Sequence, residues 1–233
     1  MRPLFTFLFT LTITYSCAQG FSYPTLSETG KNINDFVPAG WVIHATASGD
    51  LNRDKLNDIV LVLQYKDSIQ SVKADDPRDT VITQPRMLAI IFKDTVKYYV
   101  LAEQSNSFIL NHDNPVMDEP LTGIKIENGI LQIGFTSFYG MGSWYTANSS
   151  YKFQYRDKQF VLIGVDRYSI HRASLEYEAY SYNFLTKKRK LIKGNEKKDT
   201  KESSWKPVNI TTLKTFSTFK VPYSWEVEPG IYL

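Results

Sequence analysis

Oxygen-bearing side chains fall at positions 1, 3, 5 and 9 of the run Asp50-Leu-Asn52-Arg-Asp54-Lys55-Leu56-Asn-Asp58. Ca²⁺ takes about six to eight oxygen ligands at about 2.3–2.6 Å, and a short loop gathers that many only by alternating side-chain oxygens with backbone carbonyls. In this register Asp50, Asn52, Asp54 and Asp58 present side-chain ligands, and Leu56 at position 7 presents its carbonyl. The same residues also spell an Asx-rich turn that feeds its own backbone amides and holds no ion. Calcium is the favoured reading, with Lys55 as its weak point. A lysine there must hold positive φ, at a cost of about 1 kcal/mol, and brings a positive charge toward the ion.

No other constellation is as specific. The three histidines, His44, His112 and His171, have no metal-ligand spacing such as H-E-x-x-H, and there is no G-x-S-x-G, P-loop or dinucleotide glycine pattern. The segment Phe138-Tyr-Gly-Met-Gly-Ser-Trp144-Tyr145 is the best ligand platform, because glycines let it bend while Trp144 and Tyr145 could stack on a sugar ring or clasp a peptide. It also reads as a glycine-rich wide turn whose aromatics plug one end of the fold, and the sequence favours the plug.

These residues must be held by a β-rich scaffold. Residues 1–18 read as a signal peptide: Arg2, an apolar run from Leu4 to Tyr15, and Ser16-Cys17-Ala18. That run is shorter than the roughly 20 residues a membrane span needs. Cleavage after Ala18 is favoured; the competing reading makes Cys17, the only cysteine, a lipid anchor. Either way the exported chain has no disulfide, which leaves a metal loop as a plausible staple outside the cytoplasm. About 215 residues remain, enough for one sizeable core. Tyr and Phe are abundant, which favours sheet.

Residues 19–233 therefore read as a single β-rich domain. A capping box at Thr25-Leu-Ser-Glu28 predicts a brief helix ahead of Pro38. Trp41 to Ala45 and Asp58 to Gln64 are strands entering and leaving the loop at 50–58. Residues 66–85 form a polar surface loop whose Asp75, Asp76 and Asp79 could add ligands. Strand follows strand from Arg86, with turns at Lys93-Asp94, Asn128-Gly129 and Asp157-Lys158. Such an antiparallel meander closes as a sandwich or as a few propeller-like blades. The absence of a 40-residue self-similarity favours the sandwich. The stretch 205–233 is less regular, with a second short helix expected near Asn209.

The net charge is +3, but eight basic residues lie between Lys187 and Lys201, leaving the rest mildly acidic. That run reads as a solvated hairpin rather than a nucleic-acid surface, and no nucleic-acid partner is expected.

Gly40-Trp41-Val-Ile, Gly49-Asp50-Leu-Asn-Arg-Asp54 and Asp58-Ile-Val-Leu-Val resemble exported bacterial proteins of the VCBS and FG-GAP repeat-containing type. The likeness continues in Gly123-Ile-Lys-Ile-Glu-Asn-Gly129, Tyr151-Lys-Phe-Gln-Tyr155, Phe160-Val-Leu-Ile-Gly164 and Tyr182-Asn-Phe-Leu-Thr186. The loop matches their strand–loop–strand pattern D-x-[DN]-x-D-G-x-x-D better than an EF-hand, which needs glycine at position 6 and glutamate at position 12. The resemblance implies a calcium-loop β-protein of the periplasm or cell surface; the alternative reading of Cys17 would make it an outer-envelope lipoprotein. It carries no catalytic residue. The expectation is a non-enzymatic binding or envelope-associated protein taking a glycan or protein ligand. The alternative is a secreted glycan- or peptide-processing hydrolase whose carboxylates converge only in three dimensions.

Overall fold

In the computed structural model, residues 21–72, 80–96 and 98–233 are described. The expected signal peptide, Cys17 and the carboxylates of Asp75, Asp76 and Asp79 lie outside them. Among the described residues sixteen strands follow in chain order: β1 (Thr29–Gly30), β2 (Trp41–Gly49), β3 (Asp58–Tyr65), β4 (Ile69–Val72), β5 (Thr80–Thr83), β6 (Arg86–Lys93), β7 (Tyr99–Ser105) and β8 (Leu121–Glu127). They continue as β9 (Ile130–Ser137), β10 (Tyr145–Arg156), β11 (Gln159–His171), β12 (Glu176–Asn183), β13 (Lys188–Asn195), β14 (Thr200–Pro207), β15 (Glu226–Glu228) and β16 (Ile231–Tyr232). Five strands pair in the order β1-β7-β6-β3-β2, and seven form an uninterrupted meander, β14 through β8. Every pairing is antiparallel, and the two sheets pack as a sandwich.

The central strands of the smaller sheet, β3 and β6, are buried on both faces, which is why they read as continuous apolar runs rather than alternating ones. Val60, Val62, Leu88 and Ile90 point into the shared core with Ile133, Phe135, Tyr151 and Phe153 of the larger sheet. Leu61, Leu63, Met87 and Ile91 point the other way, beneath Leu26, Phe36 and Trp41. Phe108, after β7, sits at the centre and meets Tyr151, Phe153, Phe216 and Phe219 edge-on, with centroids 5.0–5.7 Å apart.

Three local expectations need correction. The capping box is built from Asn32 and Asp35 around a single 3₁₀ turn, Ile33–Phe36, not from Thr25 and Glu28. Leu26 is instead drawn into the core beneath Met87, its N–H donating to Gln104 Oε1 at 3.0 Å, so its segment runs extended. No helix forms near Asn209. There the chain continues the sheet's hydrogen bonding, Leu162 N–H donating to the Lys214 carbonyl at 2.7 Å, while Val208, Ile210, Phe216 and Phe219 fill the core. Residues 66–85 are not wholly loop either, since they contain the β4–β5 hairpin.

Two buried arginines fasten irregular segments to the sheets. Arg86 pairs bidentately with Glu119, at 2.6 and 2.7 Å, and donates to Gln64 and to the Leu110 carbonyl. Burial alone would raise the Glu119 pKa, but the Arg86 hydrogen bonds hold it below the usual carboxylate range. Arg189 does the same for the C-terminus through Glu228, and Tyr182 also donates to that carboxylate. No helix of the described residues is long and apolar enough to cross a membrane.

Candidate functional site

The loop at 50–58 is a web of side-chain-to-backbone bonds. Asp50 accepts the amides of Arg53 at 2.6 Å and Lys55 at 2.9 Å; Asn52 accepts Asp54 N–H and Asp54 accepts Leu56 N–H. Lys55 holds φ 72°, the left-handed backbone its position demands, and Arg53 does likewise at φ 67°. Asp58 plays a different part. It is fully buried, and its two oxygens accept the amides of Leu51 at 2.8 Å, Asn52 at 3.4 Å and Lys93 at 3.0 Å. Asp58 thus ties the loop to the end of β6, and burial pushes its pKa up despite those three donors.

Asp50, Asn52 and Asp54 lie on the solvent side of the loop, and the loop abuts the Asn128-Gly129 hairpin tip. An ionised carboxylate has about four lone-pair sites, so the amide bonds leave acceptor capacity on Asp50 and Asp54. Among the described residues no three His, Cys, Asp or Glu side chains gather in metal-holding geometry. Any ion here would therefore draw on the Asn52 amide oxygen and the Leu56 carbonyl as well.

Trp144 and Tyr145 do not plug the sandwich. They are 67% and 57% exposed and stand at the start of β10. Arg172 fixes their loop: its backbone N–H donates to the Trp144 carbonyl at 2.8 Å, its guanidinium reaches the Ser143 carbonyl, and it lies over the Phe138 ring. The β10–β11 register then sets Tyr145 opposite His171. Trp144 stacks on the imidazole at 6.0 Å and Tyr145 meets it edge-on at 5.0 Å.

Tyr145 and His171 line a 600 Å³ groove, with Trp144 stacked beside them, on the face of the larger sheet that also carries the core, at the end left bare by the smaller sheet and the C-terminal segment. Its floor is a cross-strand row in which Ser169, Glu178, Lys193 and Glu202 face one another in turn. Lys193 bonds Glu178 at 2.5 Å and Tyr180 adds a second donor at 2.9 Å; together they hold the Glu178 carboxyl below its usual range. His171, Glu178, Lys193 and Glu202 were not singled out as site residues from sequence. A polar run at one end of otherwise alternating strands is the signal that could have found them.

A second groove of 490 Å³ crosses the opposite face of the sheet, floored by Gly134, Ser150 and Ser181. Its central charges are matched internally, Asp166 pairing with Lys152 and accepting from Ser181 at 2.6 Å. The basic run belongs to β13, β14 and their turn, and several of its charges are engaged: Arg189 with Glu228, Lys193 with Glu178, and Lys190 over the Trp205 ring.

Comparison of the chain with protein-family models, with curated proteins and with solved structures gives no match. The antiparallel sandwich and the residues it brings together therefore carry the functional argument.

Proposed function

We propose that this protein is an exported, non-enzymatic binding module that takes a glycan in the Trp144–Tyr145–His171 groove and uses the 50–58 loop as a calcium staple. The observation that supports the binding reading is the meeting of exposed Tyr145 and of His171, on which Trp144 stacks, with a row of charged and hydroxyl side chains in one groove. Ring faces stack on the C–H surface of a pyranose, while Glu178, Lys193, Asn195 and Glu202 offer the hydrogen-bond partners its hydroxyls need. A glycan groove of this kind is rigid because the β10–β14 ladders position Ser169, Glu178, Lys193, Asn195 and Glu202. The hydrolase alternative draws on the carboxylates in this groove. A Glu178 kept ionised by Lys193 is suited to anchoring a ligand and poorly suited to donating a proton. Export to the periplasm or cell surface rests on the leader-like residues 1–18 and on the resemblance to calcium-loop proteins of the envelope.

The binding reading is tested by titrating a panel of soluble oligosaccharides against tryptophan emission and by calorimetry. Trp144→Ala is expected to weaken the best binder about tenfold, equivalent to about 1.4 kcal/mol. A panel with no binder, or one unaffected by Trp144→Ala, would sink it.

For the staple, Asp50, Asn52, Asp54 and the Leu56 carbonyl would hold the ion, with buried Asp58 closing the loop behind them. An ion that binds only the folded chain adds about 2.7 kcal/mol at a concentration a hundredfold above Kd. Millimolar calcium should therefore raise the melting temperature above that in EGTA, and Asp50→Ala should abolish the difference. Identical wild-type melts in the two buffers would reduce the loop to an Asx turn.

A further inference from the structure

The last strand of the meander, β14, is an edge that buries nothing. All eight of its residues are exposed, Trp205 to 65%, and among the described residues only β13 pairs with it. A long edge strand with free N–H and C=O groups is a template for another strand. The direction of those groups follows from the ladder. Val208 N–H donates to the Lys187 carbonyl, so in alternating antiparallel order Lys206, Ser204 and Glu202 bond inward to β13. Trp205, Ser203 and Lys201 then point their N–H and C=O groups outward, and Pro207, which has no N–H, also falls on the outward set, as edge prolines do.

We propose that the occupant of this edge is the β14 of a second copy of the chain, paired antiparallel about a two-fold axis at Ser204. A closed two-fold is the commonest homo-oligomer symmetry. Outward groups must meet outward groups, which restricts the register to pairings of odd-numbered residues. Among the registers this allows, an axis at Glu202 sets the two Glu202 side chains against each other. An axis at Ser203 leaves both Glu202 carboxylates facing serine. The axis at Ser204 brings Ser203 opposite Trp205 and sets each Glu202 across from the other copy's Lys206, at a non-hydrogen-bonded position where side chains approach most closely. Two matched ion pairs thus select one register and one partner. Because Thr200 and Glu202 also line the groove on this face, the same pairing sets the two grooves on one continuous sheet.

Sedimentation velocity on the purified protein from low to high micromolar concentration tests this. The wild type is expected to form dimers. Lys206→Glu should weaken them at least about tenfold by opposing two carboxylates across the axis. It should leave the strand itself intact, because the new carboxylate faces Arg189 on β13. Adding Glu202→Lys to that variant should restore the dimer, and Ser203→Pro, which removes an outward N–H and no internal bond, should abolish it. A wild type that stays monomeric, or dimers indifferent to Lys206→Glu and Ser203→Pro, would overturn the proposal.

Discussion

Asp58→Ala, measured by denaturant unfolding in EGTA so that no metal contributes, should cost on the order of 3 kcal/mol or more. The side chain is fully buried and satisfies three backbone amides from two separate parts of the chain, Leu51 and Asn52 in the loop and Lys93 at the end of β6. Truncation leaves those donors facing a small void, and each buried unsatisfied group costs about 1–3 kcal/mol. Relief of the buried carboxylate's own desolvation, which raises its pKa, offsets part of that loss. Asp58→Asn should fall between the two, since one amide oxygen replaces two acceptor oxygens. Asp50→Ala in EGTA is the control: its amide bonds are exposed, so its loss should stay near about 1 kcal/mol. An Asp58→Ala variant within about 1 kcal/mol of wild type would show that water replaces the carboxylate freely, and the latch would have no energetic content.

The turn-rich backbone of the loop was legible because Asx spacing is a local property, and so were two of the three expected tight turns; Lys93 instead extends β6 to pair with Tyr99, and the connection is longer than the Lys93-Asp94 pair implies. Asn128 and Gly129 hold the paired positive φ angles that their dipeptide implies, and Asp157-Lys158 does the same without a glycine. Which part of the loop is structural was not legible. Asp58 appears in sequence as a ninth-position ligand, but one of its oxygens accepts from Lys93 at the end of β6, 35 residues away. The aromatic site depended on a similar non-local detail. Counting back from the Asp157-Lys158 turn sets Tyr145 opposite Ile170, on the wrong face. The bulge beside Lys152 and Phe153 inserts one residue and brings His171 into register instead. Gly164, an isolated glycine inside the strand, is the one local sign of that insertion, and it does not say which register follows. The C-terminal segment escaped for a third reason: it buries its side chains at uneven intervals over a finished sheet, so no period was available to read.

Glu228 shows what holds that aperiodic segment down. Arg189 on β13 is 4% exposed, and the Glu228 carboxylate bonds its Nε at 2.5 Å and Nη2 at 3.1 Å while accepting from Tyr182 at 3.0 Å. Glu228→Ala removes the counter-charge and strands a buried guanidinium whose Nη1 already lacks a partner. Breaking one side of such a pair costs about 3–5 kcal/mol, far more than the pair is worth against an apolar replacement. The loss should be local as well as global. Amides of β15 and β16, whose polar ties to the sheet are this pair and Arg167 bonding the Tyr232 carbonyl, should exchange faster than those of β9 and β10. Replacing both partners, Arg189→Met with Glu228→Leu, should recover most of the stability, because it removes the charge instead of orphaning it. A single Glu228→Ala variant that loses less than about 1 kcal/mol, with exchange unchanged at residues 226–232, would place the anchorage in Trp225 and its packing on Phe184, whose rings lie 5.2 Å apart.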